Sequence, residues 1–414
     1  MKIRDINPWW KTGKVQKKVS DLQVRDLFDK LKPNINKKQI IAINGLRRTG
    51  KTVLMHHLIN YLLESHKKEN IFYYNFDLFD ENIENLLKKY EEVVDVNIKE
   101  DKIFVLLDEI QKHENWENEI KILYDNYPNI KFFISGSSSL FIEKKTKESL
   151  AGRVFSFTLQ PMTFKEYLKL RKVDIPKNLS LYEDEMRGYL DHYMKTGGFP
   201  ELINEKSKEE IDRYIKELVV DRVSYIDIPG VFEIEEPELF VKILSIISSN
   251  PGVRVNYENL SSDLGRNRKT ISNYVHYLEK AFLVKRLYNF SKSMLKTERK
   301  LKKVYPTTTA LSFLFDAKKG KMIENVILMN SGFDFFKRKN KNEVDFIKTE
   351  NKNPIPVESK YKKKVKKREI KPLLKFMQEN KAKKGIVITK EYEEKKTFGN
   401  KTVEFIPLWK WLLK

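Results

Sequence analysis

Four apolar runs in the first third of the chain carry almost no polar interruption: Gln39-Ile-Ile-Ala-Ile43, Ile71-Phe-Tyr-Tyr-Asn-Phe-Asp77, Lys102-Ile-Phe-Val-Leu-Leu-Asp-Glu109 and Ile130-Lys-Phe-Phe-Ile134. Runs of this length without alternation predict strands buried on both faces, as in a parallel sheet flanked by helices. Further along, the spacing changes to i, i+3, i+4, which predicts helices with one buried face. Phe164, Tyr167 and Leu168 mark one such face, and Phe240, Ile243, Leu244 and Ile247 a second. Ile271, Val275, Leu278 and Phe282 mark a third, on a helix expected over 266–280. Pro251-Gly252 breaks the chain before Asn259–Leu264, Gly265 makes the turn, and Phe282–Tyr288 reads as a strand. Helix, turn, helix, strand in that order predicts a winged helix-turn-helix. Beyond residue 317 come a helix from Ile323, strands Glu343–Ile347 and Pro356–Tyr361, and a closing strand and short helix over Val403–Leu413.

The first strand runs into Gly45-Leu46-Arg47-Arg48-Thr49-Gly50-Lys51-Thr52, a Walker A phosphate cradle. Gly45 and Gly50 let backbone N–H groups turn inward, and the helix that follows adds the positive end of its dipole. Lys51 is expected between the β- and γ-phosphates, with the Thr52 hydroxyl on Mg²⁺. The third strand ends in Asp108-Glu109, at the sheet edge where open α/β folds bind ligands. Asp108 is expected to hold Mg²⁺ through water, and Glu109 to orient or deprotonate the attacking water. The fourth ends in Ser135-Gly-Ser-Ser-Ser139, where Ser137 is either a γ-phosphate sensor or a helix N-cap. ATP and Mg²⁺ are therefore the expected cofactors.

Composition sets the frame for these motifs. A chain of 414 residues needs more than one core. With no cysteine, disulfides and thiolate–metal sites are excluded. No apolar run approaches the roughly 18 residues of a membrane span, and Met1–Asp5 lacks a secretion signal's apolar core, so a cytoplasmic location is expected. Eighty Lys plus Arg against 58 Asp plus Glu leave a charge of +22, a field suited to nucleic acid or to the ion-pair surfaces of a hot habitat. Arg266, Arg268, Lys269, Thr270 and Asn273 cluster at the start of the third helix. That is where a recognition helix meets DNA, although the same module also serves for dimerisation or as a lid element.

In the C-terminal part, Asp345 is followed after 12 residues by Glu358-Ser-Lys360. Strand alternation puts Glu358 and Lys360 on one face. The pattern resembles the core of PD-(D/E)xK nucleases, which implies that Asp345 and Glu358 hold a second Mg²⁺ or Mn²⁺, with Lys360 positioning water and Glu324 as a further acid. Residues 360–371 carry eight Lys or Arg and one Glu, read as a helix that either grips a phosphate backbone or faces solvent.

Taken in order, Gly45–Thr52, Leu106-Leu-Asp-Glu-Ile-Gln111, Ser135–Ser139, Leu150-Ala-Gly-Arg153, Leu159–Leu168 and Gly197-Gly-Phe-Pro-Glu201 resemble the prokaryotic, largely archaeal AAA-type ATPases with a C-terminal domain related to restriction nucleases. Asn7-Pro-Trp-Trp10 also looks like that group. The resemblance implies an α/β chain: a P-loop ATPase core with an additional strand and a catalytic glutamate (1–160), a helical lid (161–235), a winged helix (236–316) and a PD-(D/E)xK nuclease-like domain (317–414). Val344 stands where that nuclease pattern has proline. Arg153 is then either an arginine acting on the γ-phosphate, in cis or from a neighbour in a homo-oligomer, or a structural ion pair. The implied function is ATP hydrolysis coupled to DNA binding and metal-dependent cleavage. The alternative is a nucleotide-dependent switch with an inert C-terminal domain and a protein partner.

Overall fold

The computed structural model describes the chain apart from residues 1–2, 79–80, 138–149, 176–178, 231, 233, 292, 294, 296, 298–299, 341 and 351–352. Ser138, Ser139 and Pro176 thus lie outside the described residues. The chain forms two compact units: residues 1–160 with 225–233 and 280–282, and residues 161–224 with 234–279 and 283–414.

The first unit is built on five parallel strands: β1 (Ile40–Asn44), β2 (Ile71–Asn75), β3 (Ile103–Asp108), β4 (Ile130–Gly136) and β5 (Val154–Thr158). Their order is β2-β3-β4-β1-β5. Every residue of β1, β3 and β4 is buried, which is why their sequences are largely apolar, with Lys131 of β4 a buried exception. β4 stands between the strand that feeds the glycine loop and the strand that ends in Asp108, the additional strand the sequence implied. Helices Lys51–Leu63, Ile83–Val94 and Trp116–Asn126 make the crossovers. The exposed edge of β2 is closed by the N-terminal Asn7-Pro-Trp-Trp10 segment. Asn7 donates to the Tyr73 carbonyl (3.0 Å) and accepts from the Tyr73 N–H (2.7 Å), as a neighbouring strand would. Both Trp9 and Trp10 indole N–H groups donate to the Ile71 carbonyl at 2.9 Å. The Ile71 carbonyl and both Tyr73 backbone groups on this edge are thereby satisfied by side chains.

Among the described residues the second unit carries nine strands: β6 (Val253–Arg254), β7 (Val284–Asn289), β8 (Lys303–Pro306), β9 (Phe335–Lys339), β10 (Asn342–Glu350), β11 (Asn353–Lys360), β12 (Lys384–Thr389), β13 (Glu394–Phe398) and β14 (Lys401–Pro407). They form one sheet in the order β13-β14-β12-β11-β10-β9-β7-β8-β6. The joint is the parallel pairing of β7 with β9, Tyr288 opposite Phe335 and Asn289 opposite Phe336. Helices Pro237–Ser249, Tyr257–Leu264 and Arg268–Lys280 precede β7. Helices Phe164–Leu170 and Glu183–Thr196 bury Phe164, Tyr167 and Leu190 in the same core as Ile323, Val326 and Trp409.

Two local expectations are corrected. The third apolar helix ends at Lys280, so Phe282 lies beyond it with a left-handed backbone (φ 59°). Nor are residues 360–371 a helix. Lys360 ends β11, Lys367–Ile370 makes one 3₁₀ turn, and the α-helix spans Lys371–Glu379. Pro372 sits in its first turn, where proline starts helices but cannot be preceded by more helix. Like charges at i, i+4 across Lys362–Lys367 oppose helix there as well.

Candidate nucleotide site and C-terminal carboxylate cluster

The glycine loop closes against the end of β5. Gly45 has φ 150°, and a Cβ there would stand 2.3 Å from the Leu159 carbonyl oxygen, so only glycine fits. The fully buried Thr49 donates to the Leu46 carbonyl at 2.8 Å, and Gly50, φ 94°, caps the helix that begins at Lys51. The Lys51 ammonium is buried, donates to the carbonyls of Gly45 (3.2 Å) and Leu46 (3.3 Å), and lies 3.9 Å from a Glu109 carboxylate oxygen. The Thr52 hydroxyl donates to Asp108 Oδ2 at 2.7 Å across 56 residues of sequence. The fully buried Asp108 also accepts from the Tyr73 hydroxyl at 2.9 Å and from Ser135. Burial, and then the neighbouring Glu109 charge, push the Asp108 carboxyl above its ordinary range, while the three hydroxyl donors pull it back. The same burial beside Asp108 holds the Tyr73 phenol well above its usual value.

Thr52 and Asp108 are the residues that could hold Mg²⁺ here, and Lys51 the one that could meet phosphate. Glu109 follows, with a left-handed backbone (φ 50°), and accepts from the Gln111 side chain, which also donates to Ser137 Oγ at 3.1 Å. Ser137 therefore reaches Glu109 through Gln111, while Ser135 is the serine that touches Asp108. Arg47 turns to Asp227, 3.5 Å away, a buried carboxyl that burial holds above its ordinary value despite the Arg47 charge. Arg48 takes the loop's left-handed position, φ 67°.

Arg153 is not brought to this site. It precedes β5 at the end of the sheet away from the loop, about five strand residues or roughly 16 Å from Thr158. There it grips Asp125 with two hydrogen bonds of 3.0 Å. The ion-pair reading describes its own chain, because parallel β1 and β5 put the loop at one end and Arg153 at the other.

In the second unit, the antiparallel register Phe346–Val357 carries Asp345 opposite Glu358. The Asp345 N–H donates to Glu358 (3.3 Å), the Ser359 N–H donates to Asp345 (2.9 Å), and Lys360 donates to Glu358. Burial, then the Asp345 charge, push the Glu358 carboxyl up to about 8, against the pull of Lys360. Glu324 accepts from Tyr305 and from Lys321, each at 3.0 Å. Asp345, Glu358 and Lys360 are brought together, and a lysine from β8 stands beside Asp345 and Glu324. Lys303 Nζ, with its side chain 2% exposed, lies 2.6 Å from Glu343, 3.8 Å from Asp345 and 3.9 Å from Glu324. Among the described residues no group of three or more His, Cys, Asp or Glu side chains is arranged to hold a metal ion. As they stand, these carboxylates fit an ammonium rather than a second Mg²⁺ or Mn²⁺.

Residues 37–168 match the family model of an AAA domain, and residues 187–313 and 319–411 match two domains of unknown function, DUF8612 and DUF4143. An uncharacterized protein of Methanocaldococcus jannaschii is 33% identical over 417 residues, spanning 94% of this chain and 90% of its own. A second from that organism is 30% identical over 441 residues, spanning 96% and 89%. The chain belongs to the AAA-type P-loop ATPase family with these archaeal members. Among solved structures it is similar to the Walker-type ATPase of Pyrococcus abyssi, at 12% identity and a TM-score of 0.43, over 72% of this chain and 99% of that one.

Several residues of this AAA-type chain that shape its two sites carry no local signal in the sequence. Arg25 clamps the loop from beneath, donating to the carbonyls of Thr49 (2.7 Å) and Gln160 (2.8 Å). Asp227 and Lys303 approach from far along the chain. Tyr73 was legible only as an apolar strand residue. The third helix begins at Arg268 and not at Arg266; Arg266, ahead of it, is drawn to Glu236 by hydrogen bonds of 2.6–3.1 Å, and Arg268 lies exposed 3.8 Å from Glu258. No helix among the described residues is long and apolar enough to cross a membrane.

Proposed function

We propose that the protein hydrolyses ATP to ADP and phosphate at the Gly45–Thr52 loop and uses the cycle to control a DNA-binding winged helix and a nuclease-like C-terminal domain. The observation that carries the first part is the meeting of Thr52, Asp108, Lys51 and Glu109 at one end of the sheet. Bound Mg²⁺ would neutralise phosphate charge there. Lys51 leaves its two backbone carbonyls for phosphate oxygens. Glu109, aligned by Gln111 and Ser137, receives a proton from the attacking water, and Asp108, hydrogen-bonded on both oxygens, stays in place. The test is turnover by wild type and Lys51→Ala. Loss of turnover by more than about a hundredfold is expected, together with loss of the ATP–Mg²⁺ rise in thermal midpoint. Wild type that gains no thermal stability from ATP–Mg²⁺ overturns the proposal.

DNA contact by the helix Arg268–Lys280 is supported by the exposed Arg268 and Lys269 and by the net charge of +22. A role for Arg153 at phosphate belongs to a neighbouring copy in a homo-oligomer, and full turnover by Arg153→Ala removes it. One observation favours the second reading, a switch whose C-terminal domain does not cleave: the ammonium of Lys303 stands among the carboxylates.

A further inference from the structure

We propose that Lys303, supplied by β8, is the resident cation of the Glu324–Glu343–Asp345 cluster and keeps divalent ions out of it. The inference is independent of the nucleotide site. On β8, alternation puts Lys303 and Tyr305 on one face, and both reach Glu324, at 3.9 Å and 3.0 Å. The Lys303 ammonium has three carboxylates within 3.9 Å and the Phe336 ring 5.3 Å away.

The surrounding acids each have a cation beside them. Lys321 lies 3.0 Å from Glu324, Arg338 lies 3.6 Å from Glu343, and Lys360 donates to Glu358. The carboxylates of Glu324, Glu343, Asp345 and Glu358 thus meet the cations Lys303, Lys321, Arg338 and Lys360. A divalent ion needs carboxylate oxygens that are close and unneutralised, at about 2.0–2.1 Å for Mg²⁺. Here it would share the space with a fixed positive charge. Entry of metal requires Lys303 to leave, and Lys303 is carried by the β7–β8 hairpin that follows the helix Arg268–Lys280. The C-terminal carboxylates are therefore masked, and the mask belongs to the preceding module rather than to the C-terminal one.

The test counts Mn²⁺ bound to the full, nucleotide-free chain, from the free-ion EPR signal, in wild type, Asp345→Asn, Lys303→Met and the Lys303→Met/Asp345→Asn double variant. Wild type and Asp345→Asn are expected to bind alike. Lys303→Met is expected to gain a further ion per chain, bound at least about tenfold tighter than any in wild type, and the double variant to lose it. Wild type that already binds Mn²⁺ through Asp345 overturns the proposal, as does folded Lys303→Met that gains none. If removing the lysine unfolds the chain, a thermal midpoint restored by Mn²⁺ supports the mask and one indifferent to Mn²⁺ refutes it. An ATP-induced rise in wild-type midpoint, measured on the same preparation, reports separately on the nucleotide site.

Discussion

At the scale of single residues, Gly45 and Gly198 are explained by what their missing side chains would strike. A methyl at Gly45 meets the Leu159 carbonyl oxygen at 2.3 Å, and one at Gly198 meets the Met162 carbonyl oxygen at 2.5 Å. Gly45→Ala is expected to cost about 2–3 kcal/mol, combining a disfavoured backbone angle with the clash. It should lower the thermal midpoint by several degrees and remove the stabilisation by ATP–Mg²⁺. An unchanged midpoint with intact ATP binding contradicts the geometry. Lys131 gives a prediction in pH. Its ammonium is buried against the carbonyls of Asn34 (3.0 Å), Lys37 (2.7 Å) and Gln39, and burial followed by the Lys37 charge lowers its pKa to about 8. The unfolded lysine titrates near 10.5, so between pH 8 and 10.5 the unfolded chain holds more protons than the folded one. Stability then rises with pH across that window, and the contribution is lost as pH falls through the folded value. The midpoint difference between wild type and Lys131→Met should shift in favour of wild type from pH 8 to 10.5. A constant difference would show that burial does not set this titration.

At the scale of elements, the strand-loop-helix of the cradle was readable because it is contiguous. The β1 pattern, the loop glycines and the helix start all lie within 39–63, and each enforces its neighbour. The charge run over 360–371 predicts a helix there, but the helix starts only at Lys371, because the ring of Pro372 sets the boundary. At the start of the helix Arg268–Lys280, the structure separates residues that the sequence leaves equivalent. Arg266 is bound by Glu236, whereas Arg268 and Lys269 stand exposed. Replacing Arg268 and Lys269 together with Ala is expected to weaken duplex DNA binding and to reduce the salt slope by about 1.8. Arg266→Ala should act first on the stability of its own region. An unchanged slope in the double variant would take this helix out of any DNA contact.

At the scale of the whole molecule, the nine-stranded sheet crosses residue 317, where the sequence pattern changes character. β9 pairs with β7 on one side and with β10 on the other, so residues 317–414 alone would expose the β9 edge. They would also leave the Glu324, Glu343 and Asp345 carboxylates without Lys303. A fragment of residues 317–414 is expected to aggregate or to show poor NMR dispersion, whereas one of residues 161–414 keeps both supports. A well-dispersed, monomeric 317–414 fragment would mean that the sheet joint contributes little.

By itself the sequence determined the parallel sheet, the phosphate cradle, the acidic end of β3 and the Asp345, Glu358, Lys360 set. Each is specified over a few residues, by burial periodicity and by backbone angles that only certain side chains allow. Tertiary structure decided which partners complete those pieces. Arg25 under the loop, Tyr73 and Ser135 on Asp108, Asp227 on Arg47 and Lys303 among the carboxylates all arrive from distant segments. In a chain where 33% of residues are charged, one lysine looks like another until folding buries it. Burial removes the solvent screening that makes surface charges interchangeable, and so gives a single ammonium command of a site.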